Sequence, residues 1–345
     1  MKYDKLFETA KIGSLTLKNR FIMGAMGVGF AEMNGNPTDR TVAYYEERAK
    51  GGYALIITEV TRVQDTEFCT PLEPSLGSDK FIPGWKKVTD AVHAQGAYIF
   101  PQLHQPGRQY TKAILGHDTS APSPIACPVF DETPHELTTE EVWDNIHMFG
   151  DAAVRAKKAG FDGVEIHAGH GYLVQQFLSQ FSNRRFDEFG GSIENRARFA
   201  CEICKDIKKK CGEDYPVIIK LSGEEKVPGG MTISDTKIIA KYLEEAGYDA
   251  IEVTICNYAS LDWMSAPEDE PMGFNAYNAE KIKEGVHIPV AAIDRINTPE
   301  IAEDIIETGK ADFVSISRQS LAEPFFPANT FILGSKVNFL FLNLL

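Results

Sequence analysis

The chain has 345 residues, 43% hydrophobic and 24% charged, and its 49 acidic against 35 basic side chains give a formal charge of −14. Composition of this kind excludes fibrous and disordered classes, and the acidic balance argues against nucleic acid or an anionic membrane as partner. No apolar run reaches the ~18–20 residues that span a bilayer, the polar start opens no signal peptide, and the 6 cysteines read as reduced thiols of a cytoplasmic protein.

In chain order, apolar runs at residues 21–23, 53–57, 96–100, 163–166, 217–220, 248–253, 290–292 and 311–316 predict strands. Helical patterns lie between them at 41–50, 85–94, 139–159, 193–211, 234–246, 278–284 and 299–308. The junctions repeat one pattern. Ala159-Gly160-Phe161-Asp162 precedes Gly163-Val164-Glu165-Ile166, Ala246-Gly247-Tyr248-Asp249 precedes Ala250-Ile251-Glu252-Val253, and Thr308-Gly309 precedes the last run. Glycine there ends a helix in the left-handed conformation, and a run without strict alternation suits a parallel strand covered on both faces. Eight such alternations predict a (β/α)8 barrel, a TIM barrel, as a single domain over residues 1–325. An open doubly wound sheet alternates likewise, but the count of eight and the lack of a nucleotide fingerprint favour the barrel. Two long connections, residues 104–138 and 257–277, follow strand ends on the face where barrel enzymes place their sites.

The chemistry concentrates after the fourth strand, in Glu165-Ile166-His167-Ala168-Gly169-His170-Gly171-Tyr172-Leu173. Two imidazoles and a phenol at one strand end can donate to an oxygen that gains negative charge and deliver a proton. A metal reading of His167 and His170, with Glu165 or His104 as further ligand, lacks a supporting motif, so no metal is expected. Two other signals mislead. Gly24-Ala25-Met26-Gly27-Val28-Gly29 does not fit G-x-G-x-x-G. Cys201-x-x-Cys204 lies within a predicted helix, where i and i+3 share a face, and reads as buried packing.

His167 to Leu173 is followed by Phe177-Leu178-Ser179 and by the run from Asn183-Arg184-Arg185 through Gly190-Gly191-Ser192 to Asn195-Arg196. Ile12-Gly13-Ser14-Leu15, Gln102-Leu103-His104 with Gly107-Arg108, and Ser120-Ala121-Pro122-Ser123 agree in order. Over roughly residues 4–324 the chain resembles the old yellow enzyme superfamily of NADH:flavin oxidoreductases. Its look is that of the 2,4-dienoyl-CoA reductase, 2-enoate reductase and bile-acid-inducible flavoenzyme subgroup.

The resemblance implies FMN at the barrel mouth and NADH or NADPH as co-substrate. Gly24, Ala25, Met26 and Val60 would contact the ring system, Gln102 its pyrimidine edge, and Lys220 the region of N1 and O2. A cation there suits the negative charge of reduced flavin. A plain salt bridge, or a Schiff-base lysine, are the other readings of Lys220. Arg295, Ser317 and Arg318, in the loops after strands seven and eight, would hold the phosphate. Many relatives have Gly where this chain has Ile293 or Asp294 and Ser317. In the implied ene-reductase, His167 and His170 would hold the carbonyl or carboxylate oxygen of an unsaturated small molecule and Tyr172 would protonate its α-carbon. Tyr258 would be a substrate contact or an aromatic wall, and the arginines and aspartate of residues 183–196 a network that orders their loop.

Longer relatives of that subgroup continue into an iron–sulfur centre and a FAD/NAD(P) region. Residues 326–345 carry no Cys and read as a divergent apolar tail, so neither an iron–sulfur cluster nor FAD is expected in this chain, and the tail leaves a homo-oligomer open. An impaired flavin-binding remnant and a barrel lyase or aldolase using Lys220 are the alternative functions.

Overall fold

The computed structural model describes residues 2–266 and 268–335. Eight parallel strands close a barrel: β1 (Phe21–Met23), β2 (Leu55–Arg62), β3 (Tyr98–His104), β4 (Val164–Ala168), β5 (Val217–Ser222), β6 (Ala250–Thr254), β7 (Val290–Ala292) and β8 (Phe313–Ile316). Each pairs with its successor, and β8 returns to β1 through Val314 opposite Phe21. Helices α1 (Asp39–Lys50), α2 (Ile82–His93), α3 (Thr139–Lys158), α4 (Ile193–Cys211), α5 (Ile233–Glu245), α6 (Ala276–Lys283), α7 (Pro299–Glu307) and α8 (Phe326–Gly334) surround it. The single-domain barrel expected from the alternation is the observed architecture.

The local chemistry accounts for the element ends. Gly160, Gly247 and Gly309, just past α3, α5 and α7, have φ of +91°, +103° and +74°, the left-handed cap that the sequence pattern demands. Thr38, Thr138 and Thr232 open α1, α3 and α5 in reciprocal capping boxes, satisfying N–H groups that the first turn leaves without partners. The strands are buried almost throughout, and residues from β1, β2, β3, β5, β6, β7 and β8 fill the barrel interior, among them Ile22, Leu55, Phe100, Ile218, Ala250, Ala291 and Phe313.

The structure departs from expectation in three places. First, β2 runs on to Arg62 through an irregularity between Ile57 and Val60. The polar Thr58-Glu59 pair interrupts the apolar run, so hydrophobicity alone stops too soon. Second, Ala10–Ile12 and Leu15–Leu17 form an antiparallel hairpin. Its Ile12 and Leu17 plug the interior cluster. The two-residue Gly13-Ser14 link, with Gly13 at φ +53°, is a recognisable hairpin turn. Third, the tail expected to diverge from residue 326 begins as α8. Phe326 meets Phe21 edge-on at 5.9 Å, Phe331 meets Phe7 at 5.2 Å, and the Ala328 N–H donates to the Gly51 carbonyl at 3.1 Å. Phe326, Pro327, Thr330 and Gly334 are buried against the barrel, so the break expected at 325 is the start of a packed helix, while Phe331, Ile332 and Leu333 remain largely exposed as an apolar tail would. The rest of that expected tail, residues 336–345, lies outside the described residues.

Candidate active site

Parallel register carries chemistry around the mouth of the barrel. Val60 on β2 stands opposite Gln102 on β3, which stands opposite Glu165 on β4. One step further up, His167 on β4 is level with Lys220 on β5, which is level with Glu252 on β6. These side chains end on one face because each strand reaches the same height there. A cavity of about 490 Å³ opens above them, and Ala25, Met26, Val60, Gln102, His167, His170, Tyr172, Lys220, Ser317 and Arg318 all line it. An adjoining space of about 410 Å³ is lined by Arg295 together with Ser317 and Arg318. Gly24 stands at the edge of both. A Cβ on Gly24 would fall 2.5 Å from Ser315 Oγ and 2.6 Å from Ser317 Oγ, so only glycine leaves this approach open. Every residue singled out in the sequence for catalysis or cofactor binding therefore reaches one region.

The imidazoles and the phenol sit together. The His167 ring lies 5.2 Å from His170 and 4.9 Å from Tyr172. Burial, then His170, His104 and Lys220, hold the His167 pKa well below its ordinary value, and burial and Lys220 bring His170 down to about 3. Both rings are thus neutral near pH 7. The Gly169 N–H donates to His167 Nδ1 at 3.4 Å, which puts the ring proton on Nε2. His170, at φ +57°, is set by its N–H donating to Ser222 Oγ at 3.2 Å and by Nε2 against Thr254 Oγ1 at 2.9 Å. Burial raises the Tyr172 hydroxyl well above its usual range, so it keeps its proton. That hydroxyl lies 2.8 Å from the hydroxyl of Tyr258. Tyr258, weighed from sequence as a substrate contact or a wall, is a hydrogen-bond partner of the phenol.

Lys220 is buried and paired with Glu252 Oε1 at 2.5 Å. Burial acts to lower its pKa, but Glu252 and Glu165 outweigh burial and leave it raised. The ammonium therefore stays charged. A Schiff-base lysine needs the opposite shift, so the salt-bridge reading describes the geometry and the aldolase alternative loses its support. Burial, then Glu252, push Glu165 well above the carboxylate range. Gln102 donates its amide N–H to Glu165 Oε1 at 2.7 Å, which leaves the Gln102 carbonyl oxygen as an acceptor.

The anion corner has a conflict built in. Ser315 Oγ and Ser317 Oγ are buried without hydrogen-bond partners, a state that costs about 1–3 kcal/mol per group until an acceptor arrives. Two free hydroxyls, Arg318, Arg295 and the glycine gap fit a phosphate. Asp294 does not. It lies in the same corner with φ +86°, and Arg295 follows at φ +52°, so two consecutive non-glycine residues occupy a conformation that suits glycine. Burial raises the Asp294 carboxyl to about 6 against the pull of Lys220 and Arg318. The residues present accept FMN in outline, with one carboxyl set against its phosphate.

Three site features escaped the sequence reading. Cys69, in the connection after β2, lines the cavity. Glu252 pairs with Lys220. Glu59 accepts the N–H groups of Val28 and Gly29 at 2.9 Å each and so pins the loop that carries Ala25 and Met26. Regular alternation along β6 could have flagged Glu252; nothing local marks Cys69. Other readings stand as made. Cys201 and Cys204 are buried in α4. Asn183 donates to the carbonyls of Phe177 and Phe189 at 2.8 and 2.7 Å, and Arg185 pairs with Asp187, a loop-ordering network. The two long connections supply Gln109, Tyr110 and Phe130, and Tyr258 and Met264, to the cavity wall.

A closed parallel barrel with neutral histidines, a protonated phenol, a buried cation and a phosphate corner at its mouth defines a class of flavin-dependent oxidoreductase barrels. Within that class, the model of the NADH:flavin oxidoreductase / NADH oxidase family matches residues 5–330, and the chain belongs to that family, part of the old yellow enzyme superfamily. It is 40% identical to a cinnamate reductase of Clostridium sporogenes over 352 residues, 96% of this chain and 53% of the relative. It is 39% identical to an NADPH dehydrogenase of Bacillus subtilis over 323 residues, 93% of each. A solved 2-naphthoyl-CoA reductase in complex with 2-naphthoyl-CoA superposes with a TM-score of 0.91 at 31% identity, covering 96% of this chain and 52% of that one. The chain spans about half the length of three of the curated relatives it matches. Among the described residues no helix is long and apolar enough to cross a membrane.

Proposed function

We propose that this chain reduces the carbon–carbon double bond of an α,β-unsaturated carbonyl or carboxyl compound with FMN and NAD(P)H. The observation that carries the reading is the joint placement of His167, His170 and Tyr172 in the cavity that also holds Gln102 and Lys220. FMN, when bound, supplies the hydride chemistry, accepting from NAD(P)H and delivering to the β-carbon of the alkene. Gly24, Ala25, Met26 and Val60 would hold its ring system. Gln102 would offer its carbonyl oxygen to a ring N–H, and Lys220 would supply a buried positive charge toward the negative charge of the reduced ring. Arg295, Ser317 and Arg318 would hold the phosphate.

His167 and His170, both neutral, donate N–H groups to the substrate oxygen and stabilise the charge that develops there; one such donor is typically worth ~2.7–4 kcal/mol. Tyr172 holds a proton at its hydroxyl, ready for the α-carbon, and the Tyr258 hydroxyl that shares a hydrogen bond with it is placed to replenish that proton. Phe130, Tyr110 and Met264 wall the space with apolar surface. The names cinnamate reductase and 2-naphthoyl-CoA reductase support conjugated acids or acyl thioesters as the substrate class. We place the protein in the cytoplasm, with its cysteines reduced.

Anaerobic assay with NADH, NADPH and a panel of enoates, enones and enoyl thioesters tests this. Stoichiometric NAD(P)H consumption with formation of the saturated product is expected. NAD(P)H consumption that yields no saturated product would remove the alkene reading. A second reading, a flavin-binding protein with impaired affinity, rests on Asp294. It predicts that Asp294→Gly restores flavin retention to a chain that otherwise loses it on dilution.

A further inference from the structure

Behind Tyr172 lies a cluster that the proposed reaction does not use. Cys69 Sγ is 3.1 Å from His104 Nε2, and the His104 ring stands edge-on to Tyr172 at 4.4 Å. Glu73 joins them: its Oε2 accepts the Cys69 N–H at 2.7 Å. The ligand atoms of Cys69, Glu73 and His104 all lie within 4.8 Å of one another, the group of this kind found among the described residues. The metal reading made from sequence centred on His167 and His170 with His104 as an outlier; the structure gathers ligands around His104 instead.

A further observation asks for a ligand. Glu73 is 1% exposed and His104 is fully buried, yet Glu73 Oε1 and His104 Nδ1 have no hydrogen-bond partner. Orphaned buried atoms are costly, and Glu73 Oε1 is a ligand atom of the cluster itself, whereas His104 presents Nε2 to Cys69 and its orphaned Nδ1 lies on the other side of the ring. The titratable groups facing the cluster are Arg62 and Glu59 beside Glu73, Glu67 and Tyr172 beside Cys69, and His170 beside His104. The Arg62 guanidinium donates to the Pro71 carbonyl at 2.8 Å, so Glu73 gains no hydrogen bond from it. Burial holds His104 at about 3 and neutral, while it raises Glu73 to about 8 and Cys69 well above its ordinary value, so a metal would have to displace a proton from Glu73 and from Cys69.

We propose that Cys69, Glu73 and His104 bind one divalent cation of the zinc class, as three protein ligands with a fourth position open to the cavity. One thiolate, one imidazole and one carboxylate form a borderline-soft set suited to Zn2+. On binding, the Cys69 S–H bond is replaced by a sulfur–metal bond and the proton leaves to solvent. Glu73, whose carboxyl burial raises to about 8, likewise releases its proton to solvent and binds as carboxylate, so the two anionic ligands balance the ion's charge. Because Cys69 lines the cavity beside Tyr110, Tyr172 and Tyr258, the open position faces the space assigned to the alkene. On that reading of the cavity, the metal competes with substrate.

The test is a titration of the purified protein, after chelator treatment, with Zn2+ against a chromophoric chelator and with Co2+ by difference absorption. One equivalent should bind, and Co2+ should show a thiolate charge-transfer band. Cys69→Ser should abolish the band and weaken Zn2+ by about 100-fold or more, and Glu73→Gln by about 10-fold, of the order seen when metal sites lose supporting groups. Circular dichroism checks that both variants fold. Zn2+ affinities that match across wild type and both variants, or a Co2+ spectrum without the thiolate band, would overturn the site. The competition is read separately: Zn2+ should raise KM for the alkene with kcat unchanged. Binding without that rise would overturn the open position alone, and neither binding readout depends on the flavin chemistry.

Discussion

At the scale of the residue, the site works through protonation states held by burial. Burial keeps Tyr172 protonated and His167 and His170 neutral near pH 7, so each can act as a donor. Tyr172→Phe should cut alkene reduction by ~10²–10⁴-fold, the usual contribution of a positioned proton donor, while reduction of flavin by NAD(P)H continues. Separate measurement of the two half-reactions checks this. Asp294 is the residue that titrates in reach. Its carboxyl, raised from 3.8 to about 6, is neutral below that pH and negative above it, so repulsion of a bound phosphate appears as pH rises through about 6. Asn keeps the size and tolerates the left-handed backbone. The ratio of wild-type to Asp294→Asn dissociation constants for FMN should therefore stay near one at pH 5 and climb above pH 6; a flat ratio would remove Asp294 from the phosphate corner. The placement of His167, His170, Tyr172, Lys220 and Arg318 at the cavity was legible because each lies at or just past the end of a strand that could be read. Cys69 was not, since it lies in an irregular connection. The Tyr172–Tyr258 bond was not, since it joins residues 86 positions apart.

Among the elements, the glycine-ended helices and buried strand runs were readable because one physical rule sets each: a left-handed cap after the helix, a covered strand next. The hairpin of Ala10–Ile12 and Leu15–Leu17 was missed although its two-residue Gly-Ser link is a turn signal, because three-residue strands give too few alternations to count. Helix α8 was missed because its packing starts from Phe326 on Phe21 and Ala328 on Gly51, while its Phe331-Ile332-Leu333 run stays largely exposed, as a tail would. The long α3 shows how much one cap matters. Thr138 Oγ1 accepts the Glu141 N–H at 3.2 Å while Glu141 accepts the Thr138 N–H at 2.7 Å. Thr138→Ala should lower unfolding stability by about 1 kcal/mol, read as an earlier denaturant midpoint with an unchanged slope. An unchanged midpoint would mean that tertiary packing of α3 alone fixes its start.

For the whole molecule, a charge of −14 surrounds a mouth that must accept anions. The local cations Lys220, Arg295 and Arg318 work against the overall field, which repels anionic ligands until salt screens it. If the substrate is an enoate, kcat/KM should rise with ionic strength between 10 and about 200 mM, while that for a neutral enone stays level. Parallel salt series with the two substrates check this. The central claim is that this barrel binds FMN and turns it over between NAD(P)H and an alkene. Anaerobic absorption spectroscopy of the FMN-loaded protein tests it most directly. Bleaching of the visible flavin band by NAD(P)H, followed by full return on addition of an enoate or enone, is the predicted result; a chain that fails to retain FMN at any pH, or a bleached band that no alkene restores, would contradict it.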